Sequence, residues 1–273
     1  MSSDLTISII QPNLVWEDAA ANLSLLESML NQLPAHAEVV LLPEMFSTGF
    51  SMQPERLAET MNGPTVSWMQ QQARQRRIIL CGSLIIEEEG LYYNRLIWML
   101  PNGQYGTYNK RHLFSYAHEE EHYTAGDSRL IASVKGWKLN LQICYDLRFP
   151  IWARQQQQPS ESHNGHAELE PEYDVLVYVA NWPERRSFAW KSLLTARAIE
   201  NQCYTIGVNR VGDDGNGIHH SGDSAVIDPL GATLHTIHGE AGVYTCTLSR
   251  QQLTEVRQQF RFLNDADQFM IIT

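Results

Sequence analysis

This 273-residue sequence predicts an α/β domain built from layered sheets, and three observations carry that prediction. Strands and helices alternate near both ends. Leu5 to Gln11 reads as a strand followed by a helix over Trp16 to Leu33, and Asp174 to Ala180 is followed in the same way by a helix over Arg186 to Glu200. Between them, Ile78 to Ile86, Leu91 to Leu100 and Gln104 to Asn109 are joined by the turns Glu89-Gly90 and Pro101-Asn102-Gly103, the pattern of an antiparallel meander. Several strands are also too apolar to face water and stop abruptly at a polar residue, which places a cleft beyond their ends.

Taken in order, Pro34 stops the first helix, and Glu38 to Leu42 is a short apolar strand ending at Pro43-Glu44. Asn62-Gly63-Pro64-Thr65 opens a helix to about Arg76, with proline near the first turn, where a missing N–H costs nothing. After the meander, Arg111 to Tyr123 is polar and aromatic without a period and reads as a loop of functional length. Its histidines and adjacent glutamates have no spacing that fixes a metal geometry, so no metal site is expected. Leu139 to Ile143 is a buried strand delivering Cys144 to its end, with a short helix over Phe149 to Gln155. The polar, low-complexity stretch at about 155–170 reads as a flexible surface insertion, because the α/β pattern resumes beyond it. Cys203 to Asn209, Ser224 to Ile227, Ala232 to Ile237 and Val243 to Leu248 are further strands. The glycines from Gly212 to Gly217 follow no nucleotide-binding pattern, and His219-His220 reads as a surface or loop pair. The tail begins as a helix at Gln251 and ends in the apolar Phe269-Met270-Ile271-Ile272.

Hydrophobic residues at 43% and charged residues at 19% describe one globular domain over 1–273 and exclude disorder. The formal charge of −11 comes with no basic window able to track phosphates, so nucleic acid is not an expected partner. Met1-Ser2-Ser3-Asp4 lacks the basic start of a signal peptide, and no apolar run approaches a membrane span. Cys81, Cys144, Cys203 and Cys246 are widely spaced and read as reduced thiols of a cytoplasmic protein.

Three strand ends carry candidate chemistry: the Glu44 carboxylate, the Lys110 ammonium and the Cys144 thiol. Taken alone, Cys144 reads more readily as an inert buried thiol and Glu44 as a solvated loop carboxylate. Together they are the minimum equipment of acyl transfer. A thiol with an ordinary pKa of about 8.5 is mostly neutral at neutral pH and needs a base to take its proton as it attacks. A nearby cation favours the thiolate and can meet an oxyanion.

Leu42-Pro43-Glu44, Lys110-Arg111-His112-Leu113-Phe114 and Ile143-Cys144-Tyr145-Asp146-Leu147-Arg148-Phe149-Pro150 resemble, in this order, the three signatures of the nitrilase superfamily of carbon-nitrogen hydrolases. Asn181-Trp182-Pro183, Ala196-Arg197-Ala198-Ile199-Glu200-Asn201 and Asp228-Pro229-Leu230-Gly231 extend the resemblance over nearly the whole chain. The resemblance implies a single-domain four-layer αββα sandwich with Glu44 as general base, Cys144 as nucleophile and Lys110 as oxyanion stabiliser, aided by the Tyr145 backbone N–H. It implies a second glutamate in the loop after the lysine, matched best by Glu119, with Glu120 and Glu121 leaving the register open. A homodimer is implied too, and no metal or organic cofactor has a task in this chemistry. Pro43 to Phe50 and the Lys110 signature resemble the bacterial omega-amidase branch, which acts on small ω-amides such as 2-oxoglutaramate. Phe46, Phe50, Tyr116, Trp137, Tyr145, Arg148 and Trp182 are candidates to line the pocket of the small amide substrate, with Arg148 able to hold a distal carboxylate. Competing readings are a hydrolase of ureido substrates, a silent interaction module and a thiol redox sensor centred on Cys144.

Overall fold

The apolar stretches fold into two stacked mixed sheets with helices on both outer faces, in a computed structural model that describes residues 4–160 and 168–272. The chain runs through β1 (Leu5–Gln11), α1 (Ala19–Leu30), β2 (Val39–Leu41), a short α2 (Pro54–Leu57), α3 (Pro64–Arg76), β3 (Ile79–Glu88), β4 (Leu91–Met99) and β5 (Tyr105–Asn109). It continues as β6 (Leu130–Val134), β7 (Trp137–Ile143), a short α4 (Pro150–Ala153), β8 (Gln157–Ser160), β9 (Glu168–Pro171) and β10 (Val175–Val179). The last part is α5 (Ser187–Asn201), β11 (Tyr204–Val208), β12 (Val211–Asp213), β13 (His219–Ile227), β14 (Thr233–His238), β15 (Gly242–Leu248) and α6 (Arg250–Gln259).

One sheet has the order β15-β1-β2-β3-β4-β5, and the other the order β12-β13-β11-β10-β7-β6 with β14 on β13. Each keeps a parallel centre, β1-β2-β3 in the first and β7-β10-β11 in the second. Three apolar clusters correspond to the three interfaces of a four-layer sandwich. Ile7, Leu41, Trp98, Leu141, Val177 and Ile206 meet between the sheets. Leu26, Met69 and Ala73 of α1 and α3 pack on the outer side of the first sheet, and Trp190, Leu194 and Ala198 of α5 on the outer side of the second.

The helix expected from Trp16 begins at Ala19, because Asp18 caps it by accepting from Ala21 N at 2.9 Å while Glu17 takes a left-handed φ of 54°. β6 escapes the sequence reading. It forms a hairpin with β7 through Lys135-Gly136, whose φ values of 51° and 79° are the pair that a tight two-residue turn requires. His220 lies inside β13 and is buried, so only His219 is at the surface. The flanks of the expected insertion pair as the ribbon β8-β9, while its centre, 161–167, lies outside the described residues. Trp190 and Leu194 cover the chain's own sheet. No helix among the described residues is long and apolar enough to cross a membrane.

The family-like motifs away from the strand ends fasten α5 to the fold. Arg197 donates to Leu147 O at 2.6 Å, just past the cysteine, and Asn201 accepts from Gln155 N at 2.8 Å. Asp228 closes its turn by accepting from Leu230 N and Ala232 N, both at 2.9 Å. Asp223 on β13 accepts from Ser187 and Ser221 and lies 2.7 Å from Lys191 Nζ and from His238 Nδ1. Burial opposes its charge, but these donors prevail and hold its pKa at about 2, below the ordinary 3.8. A depressed folded-state pKa contributes stability that is present above 3.8 and lost as pH falls through about 2. Asp223→Asn should therefore lower the melting temperature at neutral pH, with the gap to the unaltered protein closing as the pH is lowered through that window. A gap constant with pH would contradict this assignment.

Candidate active site

Both sheets deliver side chains to one cavity of about 620 Å³, beyond the carboxyl ends of their parallel strands. In the first sheet Leu42-Pro43 prolongs β2, and Glu44 leaves it as the next residue, Met45, turns left-handed (φ 42°) and donates its N–H to Ser83 Oγ at 2.9 Å. Lys110 follows β5 directly. Its N–H donates to Asn94 O and its carbonyl accepts from Gly126 N, both at 2.9 Å.

In the second sheet β7 ends at Ile143, and Cys144 takes a φ of 44° at the head of a single 3₁₀ turn to Arg148. This departure from extended backbone ends the strand at the thiol, which lines the cavity. For a residue with a Cβ it costs about 1–3 kcal/mol. Asp146 holds the turn against that strain, accepting from Ile143 N (3.0 Å), His112 N (2.9 Å) and Tyr108 OH (2.7 Å) and lying 2.8 Å from His112 Nδ1. Trp152 Nε1 donates in turn to Tyr108 OH at 3.0 Å, and the His112 ring stacks on Phe149 at 3.8 Å.

The buried charges form one network. Lys110 Nζ is 2.9 Å from Glu44 Oε1 and 2.8 Å from Glu119 Oε2. Asn94 Nδ2 donates to Glu44 Oε1 at 2.8 Å and to Glu119 Oε1 at 3.4 Å. Two backbone N–H groups complete the network: Asn181 N donates to Glu44 Oε2 at 2.9 Å, and Phe114 N to Glu119 Oε2 at 2.6 Å. Burial opposes the Lys110 charge, but Glu119, Glu44 and Cys144 outweigh it, so its pKa is raised and it remains an ammonium. Burial first, then Glu44, push the Cys144 thiol well above its ordinary value, with Lys110 pulling the other way. The resting thiol is neutral beside a carboxylate able to take its proton. Burial also raises the Glu119 pKa, against the pull of Lys110.

Phe50, Tyr116, Tyr145, Arg148 and Trp182 line the cavity together with Glu44, Lys110 and Cys144. Glu119 stands behind Lys110, fully buried, whereas Glu120 is exposed and Glu121 reaches only His118 at the surface. Burial thus separates three adjacent glutamates that the sequence could not rank.

Two expected lining residues are elsewhere. Phe46 packs in the layer beneath α1 and α3, against Trp68 and so close to Gly82 that a Cβ there would meet its ring at 2.7 Å. Trp137 lies between the sheets at the start of β7. Six residues of strand, at about 3.3 Å each, separate it from the end that carries Cys144, and Arg250 covers its ring at 3.7 Å. Sequence reasoning missed Asn94, Arg185 and Arg186, and noted Asn181 only as part of a motif. The signal for Asn94 was an amide just ahead of the apolar run Leu96-Ile97-Trp98. Because Asn94 aligns both glutamates, Asn94→Ala should lower kcat by about 10²-fold with little change in KM and a preserved fold. Steady-state kinetics with thermal melting checks this, and an unchanged kcat would remove Asn94 from the site.

The sequence profile of the carbon-nitrogen hydrolase family matches residues 6–258. The chain is 40% identical over 268 residues to omega-amidase YafV of Escherichia coli strain K12, covering 98% of each chain. It is 30% identical over 263 residues to a 2-oxoglutaramate amidase of Bacillus subtilis strain 168, covering 95% of this chain and 96% of that one. Among solved structures it superposes with a TM-score of 0.93 and 42% identity on XC1258 of Xanthomonas campestris, covering 98% and 99% of the two chains. That protein is described as a CN-hydrolase superfamily member with an arsenic adduct in its active site. With cavity, thiol, carboxylates and ammonium at the strand ends of a four-layer sandwich, the chain belongs to the carbon-nitrogen hydrolase family.

Proposed function

We propose that this protein is an omega-amidase that hydrolyses the terminal amide of 2-oxo dicarboxylic acid monoamides, 2-oxoglutaramate and 2-oxosuccinamate, to the dicarboxylate and ammonia. The carrying observation is the cavity-lining Cys144 beside the buried Glu44, Lys110 and Glu119 in a chain 40% identical across its length to an E. coli omega-amidase. In this reading Glu44 takes the Cys144 proton, and the sulfur bonds to the amide carbon as the C=O electrons move onto oxygen. The Lys110 ammonium and the Tyr145 N–H meet that oxyanion. Its collapse restores the carbonyl and breaks the C–N bond, and the nitrogen leaves as ammonia with the proton held by Glu44. Water then attacks the thioester, giving its proton to Glu44. The second collapse expels the sulfur, which recovers the proton and leaves the acid product. Glu119 holds Lys110 in place throughout.

Ammonia release from a panel of ω-amides, ureido acids, nitriles and amino-acid amides tests the reaction. 2-Oxoglutaramate and 2-oxosuccinamate should be hydrolysed by orders of magnitude better than glutamine or asparagine, since a buried polar site discriminates strongly against a wrongly placed charge. Equal cleavage of glutamine, or faster cleavage of a ureido acid, would defeat the omega-amidase reading. Cys144→Ala should abolish turnover with the fold intact, and Glu44→Gln and Lys110→Ala should each cost several orders of magnitude without additivity. Turnover by Cys144→Ala would end the thioester mechanism.

A homodimer is part of the same proposal. Its support is the outward face of α5 beside the cavity, where Phe188 is 86% and Ile199 51% exposed. Light scattering at micromolar concentration should give a dimer mass that Phe188→Asp reduces, and a monomeric mass for the unaltered chain would count against it.

A further inference from the structure

The cavity holds a second group of charges that the amide chemistry does not use. Arg148, Arg185 and Arg186 all line it. Each guanidinium lies over an aromatic ring within cation–π range, its carbon 5.0 Å from the ring centre for Arg148 on Trp182, 5.1 Å for Arg186 on Phe114 and 5.9 Å for Arg185 on Tyr116. A guanidinium attracted to a ring face keeps N–H donors free, and its fork can grip a carboxylate with two parallel hydrogen bonds.

The carboxylates of the same cavity are engaged elsewhere. Glu44 is taken by Lys110, Glu17 by Arg56, and Asp214 accepts from Asn216 N and Ile218 N at 2.8 and 2.9 Å. Among the described residues none of the three arginines is ion-paired with a carboxylate. Arg186 is half-buried, and burial first, then the like charges of Arg185 and Arg148, push its pKa below the ordinary value, which a Cys144 thiolate would oppose. Three cations gathered without a counter-charge, in a protein of net charge −11, are stabilised by an anion that arrives from outside.

We infer that Arg186, flanked by Arg148 and Arg185, holds the free carboxylate of the substrate at the end opposite the reacting amide. The cavity then selects amides that carry a carboxylate over neutral amides of the same length. This inference rests on the proposed amidase reading and moves the carboxylate contact from Arg148, the sequence candidate, to Arg186. Arg148 and Arg185 are more exposed and supply field, while Arg186 alone is partly withdrawn from water, where an ionic hydrogen bond is stronger. The Arg186 backbone is fixed independently, its carbonyl accepting from Trp182 Nε1 at 2.8 Å, so the side chain can be changed without freeing the loop.

The experiment compares 2-oxoglutaramate with pentanamide, a neutral amide of the same carbon count. Arg186→Gln should reduce kcat/KM for 2-oxoglutaramate by about 10²-fold, mainly through KM, and leave that for pentanamide unchanged. Arg186→Lys, which keeps the charge but loses the two-pronged grip, should retain part of the discrimination. In parallel, calorimetry should detect succinate binding to the Cys144→Ala protein and its loss in the Cys144→Ala, Arg186→Gln double variant. Equal losses on both amides, or no loss on either with succinate still bound by the double variant, would overturn the inference while leaving the amidase reading standing. Succinate binding that depends on Arg186, in a protein that hydrolyses no ω-amide, would instead uphold the carboxylate site and defeat the amidase reading.

Discussion

The rest of the site depends on keeping an ammonium charged inside a protein. Lys110 is almost wholly withdrawn from water, and an ion of its size loses several kcal/mol of hydration on burial even after the protein relaxes around it. Two carboxylates on different parts of the chain offset that loss, one reached from the end of β2 and the other from the loop after β5. Neither would suffice in good geometry alone, because a lone buried pair roughly breaks even. The second carboxylate brings its own penalty, visible in the raised Glu119 pKa, and the amide of Asn94 and the backbone N–H of Phe114 offset it. Every oxygen of the two glutamates accepts at least one hydrogen bond, which leaves the network little freedom to move and suits electrostatic work on a transient negative charge.

Strain at the strand ends is the second constraint, and it is linked to the first. Met45 and Cys144 both adopt left-handed backbone directly at the chemistry. Such residues persist only where surrounding contacts over-determine them. Ser83 does this for Met45, and Asp146, with its three donors and the His112 ring, does it for Cys144. His112 and Tyr108 flank Lys110 in the chain, so the clamp on the thiol and the placement of the ammonium share one stretch of backbone. Arg197 and Asn201 extend the clamp outward by tying α5 to the turn after the cysteine.

The α/β class, most strands, the helices over α3 and α5, and the catalytic candidates Glu44, Lys110 and Cys144 were legible in the chain. Burial makes such strands uniformly apolar, and the abrupt polar residue after each marks where the backbone leaves the sheet. β6 was not legible, because Leu130 to Val134 is short and its turn carries Lys135 where glycine or asparagine would have signalled it. Phe46 and Trp137 were misplaced for another reason: an aromatic residue near a motif fits core and pocket equally until the side of the sheet it faces, or its distance along the strand, is known.

By itself the sequence determined which residue types end which strands, and that three of them form the equipment of acyl transfer on a chain resembling one family. Only the tertiary structure decided which side chains share a volume. It buried Glu119 against Lys110 while leaving Glu120 and Glu121 outside, recruited Asn94 from mid-strand, and turned Arg186 into the cavity with Arg148 and Arg185. Charge, hydrogen-bonding capacity and apolarity are properties of a residue and can be read in order along a chain. Desolvation and Coulomb coupling depend on distances between residues far apart in that order, and the packing of the two sheets sets those distances.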